Sequence, residues 1–252
     1  MNIVITGSSR GIGLGMATAF VGRGHRVMLS GRDPATLAAA ATALGQPHHA
    51  ADVGNRADMQ ALWDAARAAF GTVDIWVNNA GITGPKIPFT AYTDADIDAV
   101  VRTNLHGLFL GTTIPLAGMT VQGHGTIYSF EGFGSDGMTA PGLTLYGTTK
   151  RALGYFTRSM QKELKDSPVR LGTISPGIVV TDLVLSARET DPAGWEKSRK
   201  LYNILADRVE TVAPWIVTQV LAGNLRIRWL TTPKAAGRFL TSLVRKRQII
   251  PA

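Results

Sequence analysis

Residues Thr6 to Gly13 (TGSSRGIG) stand between a short apolar run, Asn2 to Thr6, and an amphipathic helical run, Leu14 to Gly24. A buried strand that breaks at a glycine turn and continues as a helix leaves few folds open, because it aims the free N–H groups of a helix start past the end of a sheet. Glycines at positions 7, 11 and 13 allow a pyrophosphate to approach the backbone closely, and the helix dipole favours its charge. The stretch predicts a dinucleotide-binding turn.

The alternation that follows predicts one doubly wound α/β domain spanning residues 1–252. Further strands are expected at His25–Ser30, His48–Val53, Val73–Val77, Gly125–Ser129, Val169–Ile174 and Arg226–Leu230, with helices between them. Together with Asn2–Thr6 these make seven strands. Their ends bring Gly7, Asn79, Ser135 and Gly177 to one carboxyl edge, where such sheets bind ligands. Residues 183–223 read as a helical insertion before the last strand, carrying Trp195, Leu201, Tyr202, Ile204, Leu205 and Trp215. That is the expected place for a substrate lid, although aromatics in an ordinary packed helix pair would look alike.

The adenosine ribose is read just beyond the second strand, where an acidic residue suits NAD and an arginine suits the 2′-phosphate of NADP. Ser30-Gly31-Arg32 occupies that place, and Arg10 adds a second cation, so NADP(H) is expected over NAD(H). Asp33, ahead of Pro34, reads as a helix start. Asp52-Val53, ending the third strand, offers an acceptor to the adenine amino group, with a helix-capping or turn role for Asp52 as the equal alternative.

Composition sets the outer bounds. A chain of 252 residues without cysteine excludes disulfides, zinc–cysteine sites and thiol nucleophiles. The five histidines are scattered, and His48 and His49 would point to opposite faces of a strand, so no histidine metal site is expected. No apolar run reaches about 18 residues, the length of a membrane span. MNIVITG enters a strand directly, which leaves no room for a leader and points to a cytoplasmic protein. The formal charge of +8 suits an anionic ligand, a nucleic acid or an acidic membrane surface without choosing among them. No nucleic-acid motif accompanies it. Phe239, Leu240, Leu243 and Val244 beside Arg245-Lys246-Arg247 form a short basic amphipathic end, compatible with weak peripheral membrane contact.

Tyr146 and Lys150 stand four residues apart, on one helix face. An ammonium beside a phenol favours the phenolate and tunes it for proton transfer. Asn104 sits among Ile97, Val100, Val101, Leu105 and Leu108, where an amide is commonly a satisfied interior group.

With the glycine turn, Asn78-Asn79-Ala80-Gly81, Asn104, Tyr146, Lys150 and Pro176-Gly177 in this order, the chain resembles the short-chain dehydrogenase/reductase family over nearly its whole length. The resemblance implies a seven-stranded parallel sheet with helices on both faces, an NAD(P) cofactor, and a homodimer or homotetramer. It implies that Tyr146 protonates a carbonyl oxygen, that Lys150 lowers the tyrosine pKa and holds the nicotinamide ribose, and that Asn104 holds a water in the proton relay. The implied cofactor surface comprises Thr6, Gly7, Ser9, Arg10, Gly11, Ile12, Gly13, Arg32, Asp52, Val53, Asn79, Ala80, Gly81, Tyr146, Lys150, Pro176, Gly177 and Thr181.

The family serine departs from its usual place. Thirteen residues before the tyrosine stands Phe133, which leaves Ser129, within the strand, and Ser135, in the loop EGFGSDG; the loop position is the one expected to reach a substrate carbonyl. That loop, with LYGTTK, SPGIVVTDLVL, NILAD and IRWLTTPKAAGRF, resembles the chlorophyll b reductase branch, whose members use NADPH to reduce a formyl group to a hydroxymethyl. The implied substrate is large and apolar. Competing expectations are another bulky aldehyde, ketone or secondary alcohol as substrate, and a non-catalytic NADP-binding module.

Overall fold

A computed structural model describes residues 1–250 apart from 186, 187, 189–191 and 246. The seven main strands are β1 (Asn2–Thr6), β2 (Arg26–Gly31), β3 (His48–Ala50), β4 (Ile75–Asn78), β5 (Gly125–Phe130), β6 (Val169–Ser175) and β9 (Arg226–Arg228). They form one parallel sheet in the order β3-β2-β1-β4-β5-β6-β9. The order reverses direction between β1 and β4, so the ends of these two strands flank the crevice of the sheet. A second sheet, absent from the sequence expectations, pairs β7 (Val179–Val180) with β8 (Asp207–Arg208).

Strand side chains alternate between faces, and both faces here are apolar. Ile3, Ile5, Ile75 and Val77 join the core beneath α1 (Gly11–Val21) and α9 (Val209–Leu221). Val4, Trp76 and Ile127 join the opposite core beneath α3 (Arg56–Phe70) and α5 (Gly107–Gln122). Helices α2 (Pro34–Leu44), α4 (Asp94–Val101), α6 (Thr144–Glu163), α7 (Asp182–Leu185), α8 (Pro192–Leu205) and α10 (Thr232–Ser242) complete the fold. Asp33, Asn55, Thr93 and Thr231 cap α2, α3, α4 and α10, each accepting from backbone N–H groups of the first turn. Asp33 therefore begins a helix, as its place before proline suggests.

Two expectations need correction. The third strand stops at Ala50, because the Asp52 carboxylate accepts from the Gly54 N–H at 2.9 Å and turns the chain before Val53. The expected lid at 183–223 also divides. Val212, Ala213, Ile216, Val217 and Val220 of α9 are buried in the main core. Gly15 of α1 lies against Val209 and Ala213, where any side chain would collide. Residues 209–221 thus belong to the scaffold, which leaves α7 and α8 as the described helices of the expected lid outside it.

Asp207, 5% exposed, gathers three donors: Trp229 Nε1 at 2.6 Å, Arg238 at 2.7 Å and Arg247 at 2.7 Å. Burial alone would raise its pKa, but the hydrogen bonds from Trp229, Arg238 and Arg247 outweigh it and hold the carboxyl below its ordinary value. One buried carboxylate thereby fixes α10 and the following chain against the end of α8.

Candidate active site

The glycine turn is shaped by a polar brace. Asn79 Nδ2 donates to the carbonyls of Thr6 and Gly7, both at 2.9 Å. Thr6 Oγ1 accepts from the N–H groups of Asn79 at 3.1 Å and Ala80 at 3.2 Å. Gly13 packs so tightly on the Gly7 carbonyl and Asn79 amide that a methyl group there would collide with both. Thr6 and Asn79 thus spend these groups holding two strand ends together, and offer a ligand the backbone they shape.

The turn fits an anion. Gly7 and Gly11 have φ of 64° and 58°, in the left-handed region that glycine tolerates. Helix α1 starts without a side-chain cap and without an acidic residue in its first turn, so its leading N–H groups stay available. Ile12 packs against the main core, and Ser9 lies beside Gly31. Arg10 pairs with Asp182 at 3.8 Å, both largely exposed. Arg32 is exposed and makes no hydrogen bond or ion pair among the described residues. Thr181 borders Gly11, and the Pro176-Gly177 bend, with Gly177 at φ 70°, packs on Leu230. Asp52 is otherwise engaged, taking the Gly54 N–H and facing Arg102 at 3.4 Å.

Asn104 lies in a π-helical segment, Arg102–His106, between α4 and α5. Its Oδ1 accepts from Ile82 N–H at 2.9 Å, while Nδ2 donates to Ile82 O at 2.8 Å and Thr149 Oγ1 at 3.1 Å. The amide ties the loop after β4 to α6. Beside it, Thr6, Val53, Asn78, Ala80, Asn104, Phe130 and Lys150 enclose a cavity with about 10 Å³ open to a water centre. That is close to the space one water needs.

Lys150 is 7% exposed and donates to the Phe130 carbonyl at 3.0 Å. Burial lowers its pKa to about 8, and the nearby Glu131 carboxylate partly opposes this. Lys150 Nζ is 5.7 Å from the centre of the Tyr146 ring. The phenol departs from the sequence argument: burial pushes its pKa up to about 12, instead of the ammonium drawing it down. Its hydroxyl has no hydrogen-bond partner among the described residues.

The displaced serine acquires a structural meaning. At Gly132 an added Cβ would strike the Tyr146 hydroxyl. Ser135 Oγ accepts from the Gly132 N–H at 3.0 Å, and Ser135 N–H donates back to the Gly132 carbonyl at 3.1 Å. The loop therefore holds a serine hydroxyl, with no donation from it among the described residues, on the N–H of the glycine that contacts Tyr146. Ser129 is buried within β5, 3.5 Å from the Asn78 amide. Gly132, Glu131 and Thr149 were missed in the sequence; a glycine two places past a strand end was the only available signal.

The fold and this grouping define an oxidoreductase of the dinucleotide-binding α/β class. More narrowly, the chain belongs to the short-chain dehydrogenase family, whose model, described as short chain dehydrogenase, matches residues 1–192. It is 32% identical to a probable chloroplastic chlorophyll(ide) b reductase of Oryza sativa subsp. japonica, over 97% of this chain and 53% of that protein. It is 33% identical to a chloroplastic chlorophyll(ide) b reductase of Arabidopsis thaliana, over 93% of this chain and 71% of the relative. The chain thus spans about half the length of the first of these. Among solved structures, the closed form of a serine dehydrogenase complexed with NADP+ matches with a TM-score of 0.80 at 25% identity, covering 100% of this chain and 99% of its own.

The Gly132 contact yields a prediction. Gly132→Ala should displace the Tyr146 hydroxyl and lower kcat by about a hundredfold or more, the scale of losing a positioned acid. Thermal unfolding and NADPH titration should stay near the parent's. Parental turnover in the variant would show that this packing does not position Tyr146.

Proposed function

We infer that the chain is an NADPH-dependent carbonyl reductase whose preferred substrate is the formyl group of chlorophyll b or a related porphyrinoid. The observation that carries the chemistry is the Tyr146 hydroxyl, without a hydrogen-bond partner among the described residues, its pKa pushed up by burial to about 12, and set beside Lys150. A phenol of that pKa stays protonated throughout the neutral range, the state in which it can act as the acid in carbonyl reduction. Arg32, exposed and unpaired among the described residues, is suited to the 2′-phosphate that distinguishes NADP from NAD.

When bound, NADPH supplies a hydride to the carbonyl carbon. The uncapped start of α1 and its glycine turn would hold the pyrophosphate, and Arg10 and Arg32 would supply cations for the 2′-phosphate. Tyr146 gives its proton to the carbonyl oxygen. Ser135 donates a hydrogen bond to the same oxygen, stabilising the developing alkoxide. Lys150 places a positive charge beneath the phenol and favours the phenolate left by proton donation. The donated proton leaves with the alcohol product, and a water in the small cavity, near Asn104 and Lys150, relays a replacement proton from bulk solvent to the phenolate. With its side-chain amide committed to Ile82 and Thr149, Asn104 contributes through the π turn, whose i,i+5 pairing displaces backbone carbonyls from regular helical bonding.

The formyl-porphyrinoid reading rests on the likeness to the two plant reductases and on the loop that carries Ser135. Helices α7 and α8 are our reading of the substrate cover, with Leu183, Leu185 and Leu201 exposed along them. The match to a serine dehydrogenase favours, as a second reading, the same chemistry on a different carbonyl or alcohol. In either case we expect a homo-oligomer and no nucleic-acid partner.

Incubation of purified protein with chlorophyll b and NADPH should yield the 7-hydroxymethyl pigment by chromatography; its absence while smaller aldehydes are reduced would leave only the second reading. The buried amine makes a separate prediction. For reduction, kcat/KM should be level at neutral pH and fall as pH rises through about 8, where Lys150 loses its proton. Lys150→Met should turn over slowly and lack that limb; a limb unchanged in the variant would assign it elsewhere.

A further inference from the structure

Helix α10 is amphipathic, yet turns its apolar side outward. Ala236, Phe239, Leu240 and Leu243 recur at the i, i+3, i+4, i+7 spacing of one helix face, with Val244 following. Leu240, Leu243 and Val244 are 68%, 84% and 92% exposed, and no residue of the helix is buried. The opposite side is anchored instead. Arg238 donates to the Leu205 carbonyl and to Asp207, both at 2.7 Å, and Lys234 lies over the Trp229 ring at 3.1 Å. Arg247 then brings the chain beyond the helix back to the same Asp207 carboxylate. Polar bonds at both ends of the segment hold the stripe away from the core.

Charge decides what would cover it. After Glu210 the sequence holds no acidic residue, while Arg226, Arg228, Lys234, Arg238, Arg245, Lys246 and Arg247 are all cationic. Asp207 engages Arg238 and Arg247; Arg245 is exposed directly after the stripe. A second copy of this face would oppose cations with cations. An anionic bilayer would receive the leucines at its acyl boundary and the cations at its headgroups. Among the described residues no helix is long and apolar enough to cross a membrane, so contact would lie in the interfacial plane.

We propose that α10, with residues 243–245, is a docking surface for anionic lipid bilayers. The surface is separate from the catalytic residues, and its test does not require the substrate assignment to hold. Full-length protein is mixed at low ionic strength with vesicles of phosphatidylcholine alone or of phosphatidylcholine and phosphatidylglycerol in equal parts, then sedimented. The protein should pellet with the anionic vesicles and be released by salt. Leu240→Asp with Leu243→Asp should weaken partitioning by about tenfold or more per leucine withdrawn. Thermal unfolding and NADPH titration should be unchanged. If the charged pair does not fold, Leu240→Gln with Leu243→Gln takes its place. Parent protein that stays in solution, binds neutral vesicles equally, or binds undiminished after substitution would overturn the proposal. So would a fall in oligomeric mass by light scattering on substitution, because the stripe would then be an interface between copies.

Discussion

The bond from the buried Lys150 ammonium to the Phe130 carbonyl holds the first turns of α6 against the end of β5, and the rest of the site follows from that contact. An ammonium withdrawn from water needs hydrogen bonds in return, so the lysine cannot swing away without exposing its cost. With α6 fixed, Tyr146 lies over Gly132, Thr149 meets Asn104, and Asn104 in turn holds Ile82. The loops after β4 and β5 and the π-helical segment are joined through one helix face. The Thr6–Asn79 brace does the same for the glycine turn, joining the ends of β1 and β4.

What the sequence made legible was mainly local. The glycine turn, the strand and helix alternation and the Tyr146–Lys150 spacing each lie within a few consecutive residues, where backbone periodicity constrains side-chain direction. The contacts that qualify those assignments join distant segments. Asn104 to Ile82 spans 22 residues, and Asp207 to Arg247 spans 40. Nothing near Asn104 in the chain reveals that its amide is already committed, and α9 resembles its neighbour α8 until α1 covers it. The phenol is instructive for a different reason. Spacing identified one influence on Tyr146, a neighbouring cation, and only the folded environment revealed the burial that overrides it.

The serine departure and the unusual helix share a lesson about shape. At Gly132 the tyrosine leaves no room for a side chain, and that same glycine fixes Ser135 by paired bonds. At α10 the carboxylate of Asp207 determines which side of an amphipathic helix meets the protein. In both places polar bonds override the simplest reading of a local pattern.

The central claim is that Tyr146 supplies the proton while other groups bind the cofactor. Tyr146→Phe removes one oxygen and retains the ring, so a titration of NADPH binding beside a single-turnover measurement of carbonyl reduction separates the two roles. The account predicts near-parental NADPH affinity and a reduction rate lowered by about a thousandfold. A variant that reduces its carbonyl substrate at the parental rate would contradict it.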